Sequence, residues 1–241
     1  MDLKGKTVLI TGAARRLGRV MALAVARSGG DLIIHHGHSP IEAETTRSEI
    51  IALGRKAYIL QADFSKPEEI NQLVPRALEF GPLFALVNNA SIFDPLSLEK
   101  TDLQAWERNM TVNLTAPFLL SQAFARKLEP ECEGRIVNIL DWRALRPGSD
   151  HFPYTISKAG LAALTRSLAI ALAPQIMVNG LAFGAILPPS DGAEIPGILD
   201  DIPAGRWAEL NEVGKSLIFL LTGPTYITGE IIHLDGGRHL V

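Results

Sequence analysis

Cysteine is almost absent from this chain: 241 residues contain one, Cys132. A lone cysteine excludes an internal disulfide and fits a reducing compartment. It lies in Glu129-Pro130-Glu131-Cys132-Glu133, where acidic neighbours disfavour a reactive thiolate. No run of 18 apolar residues occurs, so no membrane-spanning helix is expected. The apolar stretch after Met1-Asp2-Leu3-Lys4-Gly5-Lys6 is too short for a secretory signal, and a cytosolic location is expected. Neither sign of charge dominates: 23 Lys and Arg stand against 26 Asp and Glu, a net charge of −3. That balance offers no broad footprint for nucleic acid. The six histidines show no ligand spacing with carboxylates, so no metal site is expected. Repeats, low-complexity tracts and linkers are missing too.

What is present is a regular alternation. Hydrophobic residues make up 47% of the chain, enough for one sizeable core. Short apolar runs at Thr7–Ile10, Leu32–Ile34, Ala57–Leu60, Phe84–Val87, Ile136–Leu140, Ile176–Val178 and Ile231–Leu234 read as strands covered on both faces. Helical patterns fall between them at 16–28, 41–53, 67–79, 102–127, 154–173 and 208–221. Ser65 with Glu68, and Thr101 with Gln104, read as capping boxes, while Gly29-Gly30 and Gly54 read as helix stops. This order predicts an α/β fold, a single doubly wound parallel sheet of Rossmann type with about seven strands and helices on both faces. Residues 1–241 are expected to form one domain. Its irregular stretch, 183–207, carries Pro188, Pro189, Pro196 and Pro203 and is expected to be a substrate loop or lid.

Two motifs carry the chemistry. Thr11-Gly12-Ala13-Ala14-Arg15-Arg16-Leu17-Gly18 joins the first strand to the first helix. Glycine lets a backbone approach a pyrophosphate, and a helix N-terminus supplies free N–H groups and positive dipole. The second motif is Tyr154-Thr155-Ile156-Ser157-Lys158, whose phenol and ammonium are four residues apart and share a helix face. A nearby ammonium stabilises phenolate and is expected to bring a phenol's pKa down from about 10 towards the working range. The pair then suits proton delivery as hydride arrives from a nicotinamide. The second strand ends in Ile34-His35-His36-Gly37-His38-Ser39, without the acid that would hold an adenosine 2′-hydroxyl. Arg16, His38 and Ser39 would instead hold a 2′-phosphate, which points to NADP(H).

These motifs resemble the short-chain dehydrogenase/reductase family. Further matches are Asn88-Asn89-Ala90-Ser91 after the fourth strand, Val112-Asn113-Leu114, and Asp235-Gly236-Gly237 after the last strand. The resemblance implies a cofactor site of Gly12, Arg16, Leu17, Gly18, His38, Ser39, Asp63, Asn89 and Ala90. In it Asp63 would contact adenine and Lys158 the nicotinamide ribose. It implies catalysis by Tyr154 and Lys158 with a water relay at Asn113, and a homo-oligomer, with a tetramer built on the helices at 102–127 and 154–173. Asp63 would equally serve as a turn residue.

Three departures refine the resemblance. Arg16 replaces the middle glycine of the turn, Phe183-Gly184 stands where Pro-Gly is usual, and Asp141 stands where the family usually has serine. An ionised aspartate cannot donate a hydrogen bond to a ketone. It suits a substrate that presents N–H donors. Asp141, 13 residues before Tyr154, with Asn89-Ala90-Ser91-Ile92-Phe93, is similar to the pteridine reductase branch. That likeness implies a pterin or dihydropterin substrate, with Phe93 stacking on the ring and Asp141, a further catalytic residue, orienting it or taking part in proton delivery. Trp207 would close the pocket from the lid, and His151 would border it. Other readings remain: Phe93 as a core side chain, Asp141 as a cap for Arg143 or Arg146, and Trp142, Arg143, Arg146 and Arg206 as packing or solvated residues. The expected activity is NADPH-dependent reduction of a C=N or C=O bond in a small molecule. A ketone or 3-oxoacyl thioester is the alternative substrate, and a non-catalytic NADP(H)-binding regulator is the alternative of another class.

Overall fold

A computed structural model describes residues 2–187, 197 and 199–241. The strands are β1 (Thr7–Ile10), β2 (Asp31–His36), β3 (Ala57–Gln61), β4 (Ala85–Asn88), β5 (Gly134–Asp141), β6 (Ile176–Phe183) and β7 (Ile231–Leu234). The helices are α1 (Arg16–Arg27), α2 (Pro40–Ala52), α3 (Pro67–Leu78), α4 (Leu103–Met110), α5 (Ala116–Lys127), α6 (Phe152–Leu172) and α7 (Leu210–Thr222). All strand pairs are parallel, in the order β3-β2-β1-β4-β5-β6-β7. Chain direction across the sheet reverses between β1 and β4, which opens a crevice at the strands' carboxyl ends.

Alternate residues of the central strands feed two main cores, and a third, smaller cluster joins Leu140 of β5 and Ala182 of β6 to Leu161 and Ala162 of α6. Val8 and Ile10 of β1, with Leu32 and Ile34 of β2, meet Met21 and Val25 of α1 and Leu217 of α7. Leu9, Ile33, Leu86 and Ile136 point the other way, onto Ile70 and Leu73 of α3 and Leu120 and Phe124 of α5. Burial of each such side chain stabilises by about 1.5–3 kcal/mol, which is why the strands read as unbroken apolar runs.

Several local expectations change. Asp31, His35 and His36 join β2, and β6 continues to Phe183, which pairs with Asp141. The irregular stretch therefore starts at Gly184, one residue beyond the strand, and the expected lid lies largely at 188–196 and 198, outside the described residues. The expected helix 102–127 is divided: α4 and α5 are separated by a π-helical segment, Thr111–Thr115, that contains Asn113. Neither expected capping box forms. The α4 N-cap is Asp102, whose carboxylate accepts from the Ala105 N–H at 2.8 Å, and Thr101 donates instead to the Ser97 carbonyl. The α3 N-cap is Lys66, with no side-chain cap, because Asp63 takes the Ser65 N–H. A capping box does form at α7, between Glu209 and Glu212. No described helix is long and apolar enough to cross a membrane.

Leu86 is fully buried at the centre of the sheet. Leu86→Ala is expected to lower unfolding free energy by about 2–5 kcal/mol in urea titration. A loss below about 1 kcal/mol would contradict this packing.

Candidate active site

The turn between β1 and α1 is held from three sides. Gly12 has φ +63°, and an added Cβ would lie 3.0 Å from Ala90 Cα. A Cβ on Gly18 would overlap the Gly12 carbonyl oxygen, so the first turn of α1 closes only on glycine. Arg16 has φ +50°, the left-handed conformation that glycine favours. An arginine there costs about 1–2 kcal/mol of backbone strain, so the family's glycine geometry persists although the glycine does not.

Two organisers were not legible in the sequence. Thr11 Oγ1 accepts the N–H groups of Asn89 and Ala90, both at 2.9 Å. Asn89 Nδ2 donates to the Thr11 and Gly12 carbonyls at 2.8 and 3.2 Å. His35 Nδ1 accepts the Gly12 N–H at 3.1 Å, which leaves Nε2–H to donate to the Ala62 carbonyl at 2.9 Å. Burial pushes His35 down to about 4, so the ring is neutral at pH 7 and keeps this tautomer. The only sequence signal for His35 was a polar residue in an apolar strand beside a glycine turn.

Above the turn lies a cavity of about 500 Å³. Its lining includes Gly12, Arg16, Leu17, Gly18, His38, Ser39, Asp63, Asn89 and Ala90, all of the expected cofactor-site residues except Lys158. His38 Nε2 lies 3.6 Å from Asp63 Oδ2, so the expected phosphate and adenine ends are adjacent. The Ser65 N–H holds the Asp63 carboxyl below its usual range, against the opposing effect of burial, with smaller contributions from the Ser65 hydroxyl and nearby basic groups. His36 also lines the cavity, and its buried Nδ1 has no hydrogen-bond partner. A cavity of this volume, a helix N-terminus at one wall and an unsatisfied polar atom fit a dinucleotide.

The chemical residues are not part of that lining; Asn113, bonded to Ser91, Ile92 and Ser157, connects them to it. Tyr154 is buried, and its hydroxyl donates to Asp141 Oδ2 at 3.2 Å. Asp141 is the last residue of β5, and its Oδ1 accepts the Arg143 N–H at 2.9 Å. Thus the capping role and the contact with the tyrosine coexist, one on each carboxylate oxygen. Lys158 is buried, and its ammonium donates to the Ile139 carbonyl at 2.8 Å, 5.7 Å from the Tyr154 ring centroid. Burial lowers Lys158 to about 8, partly countered by Asp141.

The expected drop in the tyrosine's pKa does not occur. Burial first, then the Asp141 charge and hydrogen bond, push the Tyr154 phenol well above its usual value. The phenol is therefore a held proton donor rather than a resting phenolate.

Asn113 is the knot that joins the two halves. Its Oδ1 accepts from Ile92 N–H at 2.9 Å and Ser91 Oγ at 3.0 Å. Its Nδ2 donates to the Ile92 carbonyl at 3.1 Å and to Ser157 Oγ at 3.0 Å. Ser157 in turn donates to the Tyr154 carbonyl at 2.6 Å. The amide is fully used, so its side chain has nothing left for a water.

Phe93 is not a core side chain: it is 51% exposed, stacked on His151 at 3.8 Å and edge-on to Tyr154 at 4.6 Å. Trp207 is half-buried before α7 and belongs neither to the cavity lining nor to the aromatic group at Tyr154. Arg206 is engaged with Glu212 at 2.8 Å, away from the site. Among the described residues, no group of three His, Cys, Asp or Glu is placed to hold a metal.

The raised phenol gives a direct check. Spectrophotometric titration of the ligand-free protein, minus that of Tyr154→Phe, should show Tyr154 ionising above the free-phenol value of about 10. Ionisation below pH ~9 would contradict the burial and the Asp141 contact.

The short chain dehydrogenase family model matches residues 6–195. A 3-oxoacyl-[acyl-carrier-protein] reductase of Synechocystis is 32% identical over 240 residues, covering 98% of this chain and 97% of that protein. A 2-dehydro-3-deoxy-D-gluconate 5-dehydrogenase of Escherichia coli is 34% identical over 249 residues, covering 98% and 96%. Among solved structures, FolM alternative dihydrofolate reductase 1 of Brucella canis, complexed with NADP, superposes with a TM-score of 0.92 at 36% identity. It covers 100% of this chain and 97% of that one. With a parallel seven-stranded sheet and these matches along its length, the chain belongs to the short-chain dehydrogenase/reductase family of oxidoreductases.

Proposed function

We propose that this protein is an NADPH-dependent reductase of a pterin-type C=N bond. The observation that carries the proposal is the Tyr154 hydroxyl bound to an aspartate, not a serine, at the end of β5. The FolM structure solved with NADP supports both the cofactor and the substrate class. NADPH would supply hydride, held by the β1–α1 turn, with its 2′-phosphate near Arg16, His38 and Ser39 and its adenine near Asp63.

The protein's own groups then divide the work. In the free protein the phenol hydrogen is spent on Asp141. A ring N–H that donates to Asp141 Oδ2 would replace it and free the Tyr154 hydroxyl to face the substrate. The phenol donates its proton to the atom that gains an electron pair when hydride adds to its neighbour. Lys158 stabilises the phenolate left behind, and it would also meet the nicotinamide ribose. Phe93 offers an exposed ring face for stacking with a flat heteroaromatic. Trp207 is the further proposed substrate contact. A water relay at Asn113 would run through its backbone carbonyl, in the π-helical segment, since the side chain is saturated. Assembly as a homo-oligomer, a tetramer in the first instance, is supported by exposed Phe118 on α5 and Ile156 and Ile170 on α6.

Ketone or 3-oxoacyl thioester reduction is favoured by the Synechocystis relative's activity, and Asp141 speaks against it. The two readings separate on substitution. Tyr154→Phe should reduce turnover by about 10²–10⁴-fold while NADPH still binds, measured by nicotinamide absorbance and fluorescence. Asp141→Ser should cost more with a dihydropterin than with a ketone. Equal losses would remove the pterin reading, and NADPH binding with no turnover of any substrate would favour a regulator.

The pH dependence has a definite sign. Lys158 carries its charge below about 8 and loses it above. The kcat/KM for reduction, which reports the free enzyme, should therefore fall on an alkaline limb centred near that value. A flat profile to pH ~9.5 would show that the ammonium is not required.

A further inference from the structure

Arg143 occupies a place that the proton transfer above does not explain. The short helical turn Trp142–Ala144 folds its side chain back over β5, where it is only 17% exposed. Its Nη1 lies 3.7 Å from Asp141 Oδ1 and its Nη2 2.7 Å from Asp150 Oδ2, with Nε 3.4 Å from Asp150 Oδ1. The Trp142 ring packs 4.8 Å from the guanidinium carbon, and Arg238 packs 4.6 Å from the same ring. Asp150 continues the chain to His151, 3.1 Å away, whose ring stacks on Phe93. His151 holds this place with a left-handed backbone, φ +49°, a conformation that a non-glycine residue keeps only when its surroundings impose it. A cation is thus fixed between two carboxylates, one of which holds the catalytic hydroxyl.

We infer that Arg143 is a positioning residue for proton transfer. Its backbone N–H holds Asp141 Oδ1 at 2.9 Å while Oδ2 stays on Tyr154, and its guanidinium, 3.7 Å from Oδ1, offsets the negative charge that forms on the phenolate oxygen. The inference rests on the reductase reading for its effect on turnover. Its effect on the phenol stands apart from that reading.

The charge balance supplies the reason. As hydride from NADPH adds to carbon, the adjacent nitrogen gains an electron pair and takes the Tyr154 proton. The phenolic O–H bond breaks and leaves a phenolate beside Asp141. The charged groups that act on this oxygen are Asp141 from β5 and Arg143 from the turn, and Lys158 from α6 lies 5.7 Å from the ring centroid. Asp150 and His151 lie one step further. Without Arg143 the new anion would face a carboxylate with Lys158 as its one near counter-charge. In the resting protein the same field is visible: burial and Asp141 push the phenol up, and Arg143 pulls it back.

The test uses Arg143→Gln and Arg143→Lys in the full-length protein, with two readouts. The first is the Tyr154 titration of ligand-free protein, taken as the difference from the matching Tyr154→Phe double variant. Arg143→Gln should move it to higher pH, and Arg143→Lys should restore much of the shift. The second is dihydropterin reduction, in which Arg143→Gln should lower kcat by about tenfold or more with NADPH affinity little changed. Should Arg143→Gln fail to fold, Asp150→Asn removes the guanidinium's other anchor. It should give a smaller loss of kcat in the same direction. An unmoved Tyr154 titration in folded Arg143→Gln overturns the inference. So does unchanged kcat in an enzyme that reduces dihydropterin. If no pterin is turned over by the wild-type protein while the titration moves as stated, the reductase reading fails and the coupling of Arg143 to the phenol stands.

Discussion

A single hydrogen bond, from the Tyr154 hydroxyl to the Asp141 carboxylate, ties the end of β5 to the first turn of α6. If both groups were charged at 3.2 Å, they would repel by about 5 kcal/mol at an effective dielectric constant near 20. The site therefore rests with one proton between a phenol and an ionised carboxylate. Whatever else the pocket does, it must hold that proton. This constraint sets the value of every cation nearby, Lys158 beneath the tyrosine and Arg143 beside the aspartate.

The rest of the architecture keeps those groups in register. Asn138 of β5 accepts from Asn88 of β4 at 2.8 Å and donates to Thr165 of α6 at 2.9 Å, which crosses the sheet and fixes the long helix against it. Lys158 makes a second tie between α6 and β5 through the Ile139 carbonyl. Asn113 links the loop after β4 to the same helix. Its place in a π-helical segment lets the chain turn it inward without ending the helix. The cavity above the β1–α1 turn and the chemical residues are thereby joined through Ser91 and Ile92, although they come from opposite halves of the sequence.

Much of this was legible. Strand and helix order followed from hydrophobic periodicity, because each strand is covered on both faces and each helix on one. The glycine turn and the Tyr154–Lys158 pair were readable because their chemistry depends on local spacing. Local signals failed where several partners compete for one group. Ser65 and Thr101 fit a capping pattern, yet Asp63 and Asp102 captured the available N–H groups, a choice made by backbone geometry. The roles of Thr11 and His35 were hidden because their partners lie 78 to 79 and 23 to 27 residues away in sequence.

The sequence by itself determined the sheet, the glycine turn and the presence of a phenol, an ammonium and an unusual carboxylate. These depend on residue type and on separations of a few positions, which the chain writes directly. Only the tertiary structure decided the state of that phenol. A lysine four residues away argues for easy ionisation. Burial and a carboxylate brought from the end of a neighbouring strand outweigh it, because desolvation and the nearest charge are properties of the folded pocket.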